Sequence, residues 1–257
     1  MRCSWESGHR CPVNETINME TPTPEVNRIQ AQTTTTTTTT TGPLLIARNL
    51  SAFERPRAGD PSELIRDRFL CQGGSVLLCG GTGLGKSSLA VQLPAQFALG
   101  LGDFGINPVR PLKSLIIQAE NDDGDIAEFR DGAFAGYGYN STQVKQIAEF
   151  VVLHTEVKHR GSEFCRAVLD PLAKHHKPEL VWIDHALAYY KGDASAQLGV
   201  GNFLRESLQP VLTAHKLGCF ILHHSPKPSD RRVSWSDRDF SYMGMGSVEW
   251  ANWARAV

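Results

Sequence analysis

The chain has 257 residues, with 26 Lys or Arg against 27 Asp or Glu, a formal net charge of -1. A balance this close supplies no global field to hold the protein on DNA or an anionic membrane, so any nucleic-acid contact is expected to be local. The six scattered cysteines (Cys3, Cys11, Cys71, Cys79, Cys165, Cys219), the lack of a long apolar stretch and the polar N-terminus together predict a soluble, cytoplasmic protein with reduced thiols and no membrane partner.

Residues 1–42 are polar and end in the homopolymer Thr33 to Thr41. Too little apolar surface is present there to offset the entropy of ordering, so a disordered tail is expected. Cys3, His9 and Cys11 could contribute to a metal site, but a fourth ligand at sensible spacing is missing and unstructured thiols are the simpler reading. Met19 is an alternative start.

From Pro43 onward, apolar runs alternate with longer amphipathic stretches, the pattern of an α/β domain over 43–257 with a mostly parallel central sheet covered by helices. Short apolar segments predict strands at Ser75–Cys79, Ser114–Ala119, Phe150–His154, Leu180–Asp184 and Cys219–His223. The clearest helical periodicity predicts helices over Lys86–Leu99, Ser162–His175 and Val200–His215. In the last of these, Phe203, Leu204, Leu208, Val211 and Leu212 form one apolar stripe expected in the core.

The first predicted strand runs into Gly80-Gly81-Thr82-Gly83-Leu84-Gly85-Lys86-Ser87-Ser88 and then a helix, which fits G-x-x-x-x-G-K-[ST] at every fixed position. Glycines let the backbone turn tightly so that successive N–H groups point at phosphates, and the helix start adds the positive end of its dipole. Lys86 is then expected to reach the β/γ-phosphates and the Ser87 hydroxyl to ligate Mg²⁺.

Hydrolysis also needs an acid to hold the metal and a group to orient water. Asp184 ends an apolar strand, which places it at the carboxyl edge of a parallel sheet, where ligands gather, and makes it the second candidate metal ligand. His185 follows it in place of an acid, so the general base must come from elsewhere. Glu120, after "SLIIQA" at the same edge, is the candidate; a capping or solvated acid is the alternative. His223 and His224 end the strand "GCFILHH", and one of them could donate a hydrogen bond to the γ-phosphate and sense its loss. Beyond them Lys227, Arg231 and Arg232 interleave with Trp235, Phe240 and Tyr242, a mixture suited to gripping single-stranded DNA or, with three acids diluting it, to a solvated loop.

With these motifs in place the chain resembles the RecA-like P-loop ATPases, and more closely the subgroup of plasmid RepA-type hexameric replicative helicases and phage or prophage AAA-family ATPases. The residues that carry the resemblance are "GGTGLGKSS", "LKSLIIQAEN", "LVWIDHALAYYKGDAS", "CFILHHSPKP" and "GSVEWANWARAV". It implies a RecA-like fold, ATP and Mg²⁺ as ligands, Glu120 as catalytic base, Asp184 as metal support, His224 or His223 as sensor, and a hexameric ring or filament with ATP between subunits. A basic residue reaching the neighbouring subunit's nucleotide is also implied, with Arg255 the first candidate and Lys227 the second. Met245 stands before Gly246-Ser247 where the subgroup commonly has arginine, and Val257 falls at the start of what reads as a further strand where relatives usually continue, as in a fragment or a shortened product.

The expected function is thus an ATP-hydrolysing, DNA-dependent motor in replication. The alternatives are a regulatory or assembly ATPase without unwinding, and a truncated nucleotide-binding module that no longer turns over.

Overall fold

The computed structural model describes residues 47–57, 59–225 and 246–257. The candidate metal ligands Cys3, His9 and Cys11, the Thr tract, and the basic and aromatic segment from Lys227 to Met245 lie outside these residues. The chain divides into two units, Met1–Glu54 and Arg55–Val257. In the described part of the first, a single 3-10 turn, Leu50–Ala52, begins where the Asn49 carboxamide accepts the Ser51 N–H.

The second unit is built on a five-stranded parallel sheet flanked by helices. A short antiparallel pair comes first, β1 (Glu63–Ile65) and β2 (Leu70–Cys71). The sheet strands are β3 (Ser75–Gly80), β4 (Ser114–Gln118), β5 (Val151–Thr155), β6 (Leu180–Asp184) and β7 (Gly218–His224), in the spatial order β3-β7-β6-β4-β5. Each of the five predicted strands is present, with ends within a residue of the apolar runs. At the outer edge of β3, Ala256 bridges in parallel to Val76, with the Arg255 N–H donating to the Ser75 carbonyl at 2.8 Å.

Strand side chains alternate between two buried layers, which explains why the sequence shows apolar runs rather than alternation with polar residues. One layer holds Leu77, Leu115, Ile117, Val181, Ile183, Cys219 and Ile221. The other holds Val76, Ile116, Leu180, Trp182, Phe220 and Leu222, with Trp182 and Phe220 stacked at 4.1 Å and nearly parallel. Gly218 opens β7 at a close approach: a Cβ there would lie 2.7 Å from a Leu64 methyl and 2.9 Å from methyls of Leu70 and Leu180.

Helix α1 (Lys86–Ala98) packs Ala90, Leu93 and Phe97 on the second layer. Helices α2 (Asp123–Tyr137) and α3 (Ser141–Phe150) follow β4, each opened by a reciprocal capping box, Asp122 with Asp125 and Asn140 with Gln143. On the first layer lie two longer helical runs, each interrupted by a π turn. The first is α4 (Ser162–Phe164), the turn Cys165–Leu169 and α5 (Asp170–His176). A short α6 (Ala186–Tyr189) follows β6. The second run is α7 (Gln197–Asn202), the turn Phe203–Leu208 and α8 (Gln209–Ala214).

In both runs the widened turn ends just before a proline, Pro171 and Pro210. A proline lacks the N–H for the α-helical bond and crowds the carbonyl four residues back, which a wider turn relieves. Of the predicted stripe, Phe203, Leu204, Leu208 and Leu212 are buried in this layer, and Val211 is half-buried against it. The last helix, α9 (Glu249–Trp253), buries Trp250 in the same layer. Among the described residues Cys71, Cys165 and Cys219 are buried free thiols and Cys79 is half-buried, and no helix is long and apolar enough to cross a membrane.

Candidate nucleotide-binding site

β3 leads directly into the glycine-rich loop. Gly83 and Gly85 each have φ +79, a left-handed conformation open to glycine at little cost, and Gly85 is the residue from which α1 starts. No side chain caps α1, so its first N–H groups remain available to an anionic ligand. The Lys86 ammonium folds back across the loop and donates to the carbonyls of Gly80 and Gly81 at 2.9 and 2.8 Å. Partial burial pulls its pKa below the usual lysine value, while Asp184 opposes that shift. Thr82 and Leu84 are exposed in the loop, and Ser87 and Ser88 are half-buried in the first turn of α1.

Asp184, at the end of β6, is buried. Burial pushes its carboxyl above the usual aspartate range, and the Ser87 hydroxyl, donating to it, pulls the other way. Two hard oxygen donors from separate elements therefore meet beside the loop. Glu120 follows β4 on an exposed turn, its side chain 61% exposed, and its Oε1 lies 3.5 Å from His185 Nδ1.

The strand-end histidines separate by the alternation of β7. His224, register partner of Gly80, points to the loop side, with its ring 4.5 Å from that of His185. Burial, then the neighbouring His185 and Lys86, hold its pKa below the usual histidine value. His223 points the opposite way, is fully buried and packs its ring 5.0 Å from Trp250. Arg255 is exposed at the Ser75 end of β3, the opposite end of that strand from the loop, and is not brought to the cluster within this chain. Lys227 lies outside the described residues.

Two residues of the site escape a reading of the sequence. His185 stands beside Glu120 and His224, and its place one residue after a strand end was the available signal. Gln118 is buried at the end of β4, level with Asp184 on β6 and Thr155 on β5. Its amide donates to the Asn121 carbonyl at 2.9 Å and to the Thr155 hydroxyl at 2.8 Å, while its oxygen accepts the Asn121 N–H at 2.8 Å. These bonds fix the turn that carries Glu120, and a polar residue closing an apolar run is the mark by which it could have been found.

Residues 47–230, more than half of the chain, match the AAA_25 family model, an AAA domain. No curated protein matches the chain at a significant level. A match of that extent, over a parallel sheet whose β3 runs into a phosphate-binding loop, establishes that the chain belongs to the AAA domain family of P-loop ATPases, which bind and hydrolyse nucleotides.

Proposed function

We propose that the chain is a Mg²⁺-dependent ATPase of the RecA-like kind that works as a DNA motor, in the manner of the RepA-type replicative helicases it resembles. The observation that carries the catalytic half is the convergence of Lys86, Ser87, Asp184 and Glu120 from α1, β6 and the β4 turn at one edge of the sheet. The Ser87 hydroxyl and the Asp184 carboxyl suit Mg²⁺, a hard cation that takes oxygen ligands. When bound, that ion would neutralise phosphate charge.

The remaining roles belong to the chain's own side chains. Backbone N–H groups from Gly81 to Lys86 cradle the phosphates, and Lys86 exchanges its loop carbonyls for phosphate oxygens. Glu120 aligns water on the γ-phosphate and accepts its proton, while His224 reports whether that phosphate is present. Arg255 or Lys227 from a neighbouring copy completes the site in a ring or filament. The DNA half rests on the resemblance and on the basic and aromatic residues between Lys227 and Tyr242.

Steady-state ATP hydrolysis with Mg²⁺, with and without single-stranded DNA, tests both halves. Turnover stimulated by DNA and reduced on the order of 10²- to 10³-fold by Lys86→Ala supports the motor. Turnover indifferent to DNA favours a regulatory or assembly ATPase, to which the balanced charge of -1 is equally suited. Binding without turnover would sink the catalytic half.

A further inference from the structure

Beside the phosphate loop, three side chains from three different connections converge: Glu120 after β4, His185 after β6 and His224 at the end of β7. One ligand atom from each lies within 4.8 Å of the others. His185 Nδ1 and Glu120 Oε1 are already 3.5 Å apart, and the His185 side chain is only 11% exposed. Nδ1 of His185 and Nδ1 of His224 are both buried without a hydrogen-bond partner. A buried polar atom left without a hydrogen bond costs about 1–3 kcal/mol. His224 Nδ1 makes none and His185 Nδ1 has only the Glu120 carboxylate at 3.5 Å, so the two imidazole nitrogens point to a ligand that imidazole binds.

We propose that Glu120, His185 and His224 bind a transition-metal ion of the Zn²⁺ class, at a site separate from the oxygen donors Ser87 and Asp184, and that occupancy halts turnover. Two imidazoles and one carboxylate form a borderline-soft set that suits Zn²⁺ far better than Mg²⁺, and three protein ligands leave a fourth position for water. Zinc bonds of about 2.0–2.2 Å in tetrahedral geometry set ligand atoms roughly 3.4 Å apart. The Glu120–His185 pair already stands at that spacing. Closing the remaining gaps needs movement of at most roughly 1.5 Å, which the exposed Glu120 side chain and rotation of the two rings can supply.

Glu120 held on the ion no longer aligns water, and His224 no longer faces the γ-phosphate. This inhibitory consequence rests on the catalytic reading given to Glu120; the binding itself rests only on the ligand geometry.

The test uses the full chain without nucleotide, measuring Zn²⁺ affinity by competition with a fluorescent chelator and the absorption of the Co²⁺ form. We expect one site per chain, weakened roughly tenfold or more by Glu120→Gln and further by the His185→Ala/His224→Ala pair. It should be unchanged in a Cys3→Ser/Cys11→Ser variant, with Co²⁺ showing d–d bands but no thiolate charge-transfer band. Because Glu120 is exposed, its variant reads the site without depending on refolding of the core.

No binding, binding indifferent to Glu120→Gln and the histidine pair, or a thiolate band lost with Cys3 and Cys11 would each overturn the site. Zn²⁺ bound here with ATP turnover undiminished would overturn the inhibition and leave the ATPase reading standing. An absence of turnover with and without Zn²⁺ would remove the ATPase reading, and the inhibition with it, while the affinity measurements still decide the site.

Discussion

Gly80 and His224 are register partners on the parallel strands β3 and β7, and the next residue, Ser225, donates its N–H to the Gly80 carbonyl at 3.0 Å. The first glycine of the loop and the end of β7 therefore finish at one level. Only one of the two adjacent histidines shares that side of the sheet, so their substitutions should separate. His224→Ala is expected to lower kcat for ATP about tenfold or more while the protein keeps its stability. His223→Ala removes a fully buried ring packed on Trp250. It should cost about 2–4 kcal/mol in urea denaturation, with the remaining folded protein still active.

Gln118 holds the Glu120 turn from within the sheet. Gln118→Leu leaves the Asn121 N–H and the Thr155 hydroxyl without this partner, at about 1–3 kcal/mol for each group that finds no other. It also frees the Glu120 turn from its fixed position. The expected signature is a fall in kcat with nucleotide affinity retained, measured by comparing turnover with equilibrium binding of a fluorescent nucleotide. A change in affinity alone would mean that Gln118 does not position the turn.

The sequence already displays the strands because burial on both faces leaves near-continuous apolar runs, as in Leu180–Asp184. Their spatial order is another matter, since nothing local in those runs distinguishes a neighbour in the sheet. The phosphate loop is legible because its residues are contiguous. Helix α2 has no buried residue, so it carries no strong apolar stripe, and its capping box was the signal that remained. The β1–β2 pair, three and two residues long, is too short to show a period. Which of His223 and His224 faces the loop depends on the pleat of β7, and its register against β3 answers that.

Glu156, in the turn after β5, is almost fully buried. Burial alone would raise its pKa, but the N–H groups of Lys158 and His159 and the His159 ring, 3.1 Å away, more than offset that and hold it at about 2. The folded value lies below the unfolded value near 4.5. The stabilisation is therefore complete above pH 4.5 and lost as pH falls toward 2. Glu156→Gln should lower stability by up to about 3 kcal/mol at neutral pH, and the difference from the unmodified chain should shrink through that acid window in denaturation curves. A difference independent of pH would exclude this account of Glu156.

Gly218→Ala tests the packing beneath β7. The added methyl meets side chains of Leu64, Leu70 and Leu180 at under 3.0 Å, in a layer with little room to yield. A loss of about 1–3 kcal/mol is expected, read as a lower denaturation midpoint with an unchanged slope. No loss would show that these leucines repack freely.

The proposed mechanism hydrolyses ATP at this site with Glu120 as the base. The most direct measurement is single-turnover ATP hydrolysis by Glu120→Gln beside the unmodified chain, with ATP binding measured on the same samples. The variant is expected to bind ATP with little change in affinity and to hydrolyse it at least about 10²-fold more slowly. Hydrolysis at the unmodified rate would remove Glu120 from the chemistry and contradict the proposed mechanism.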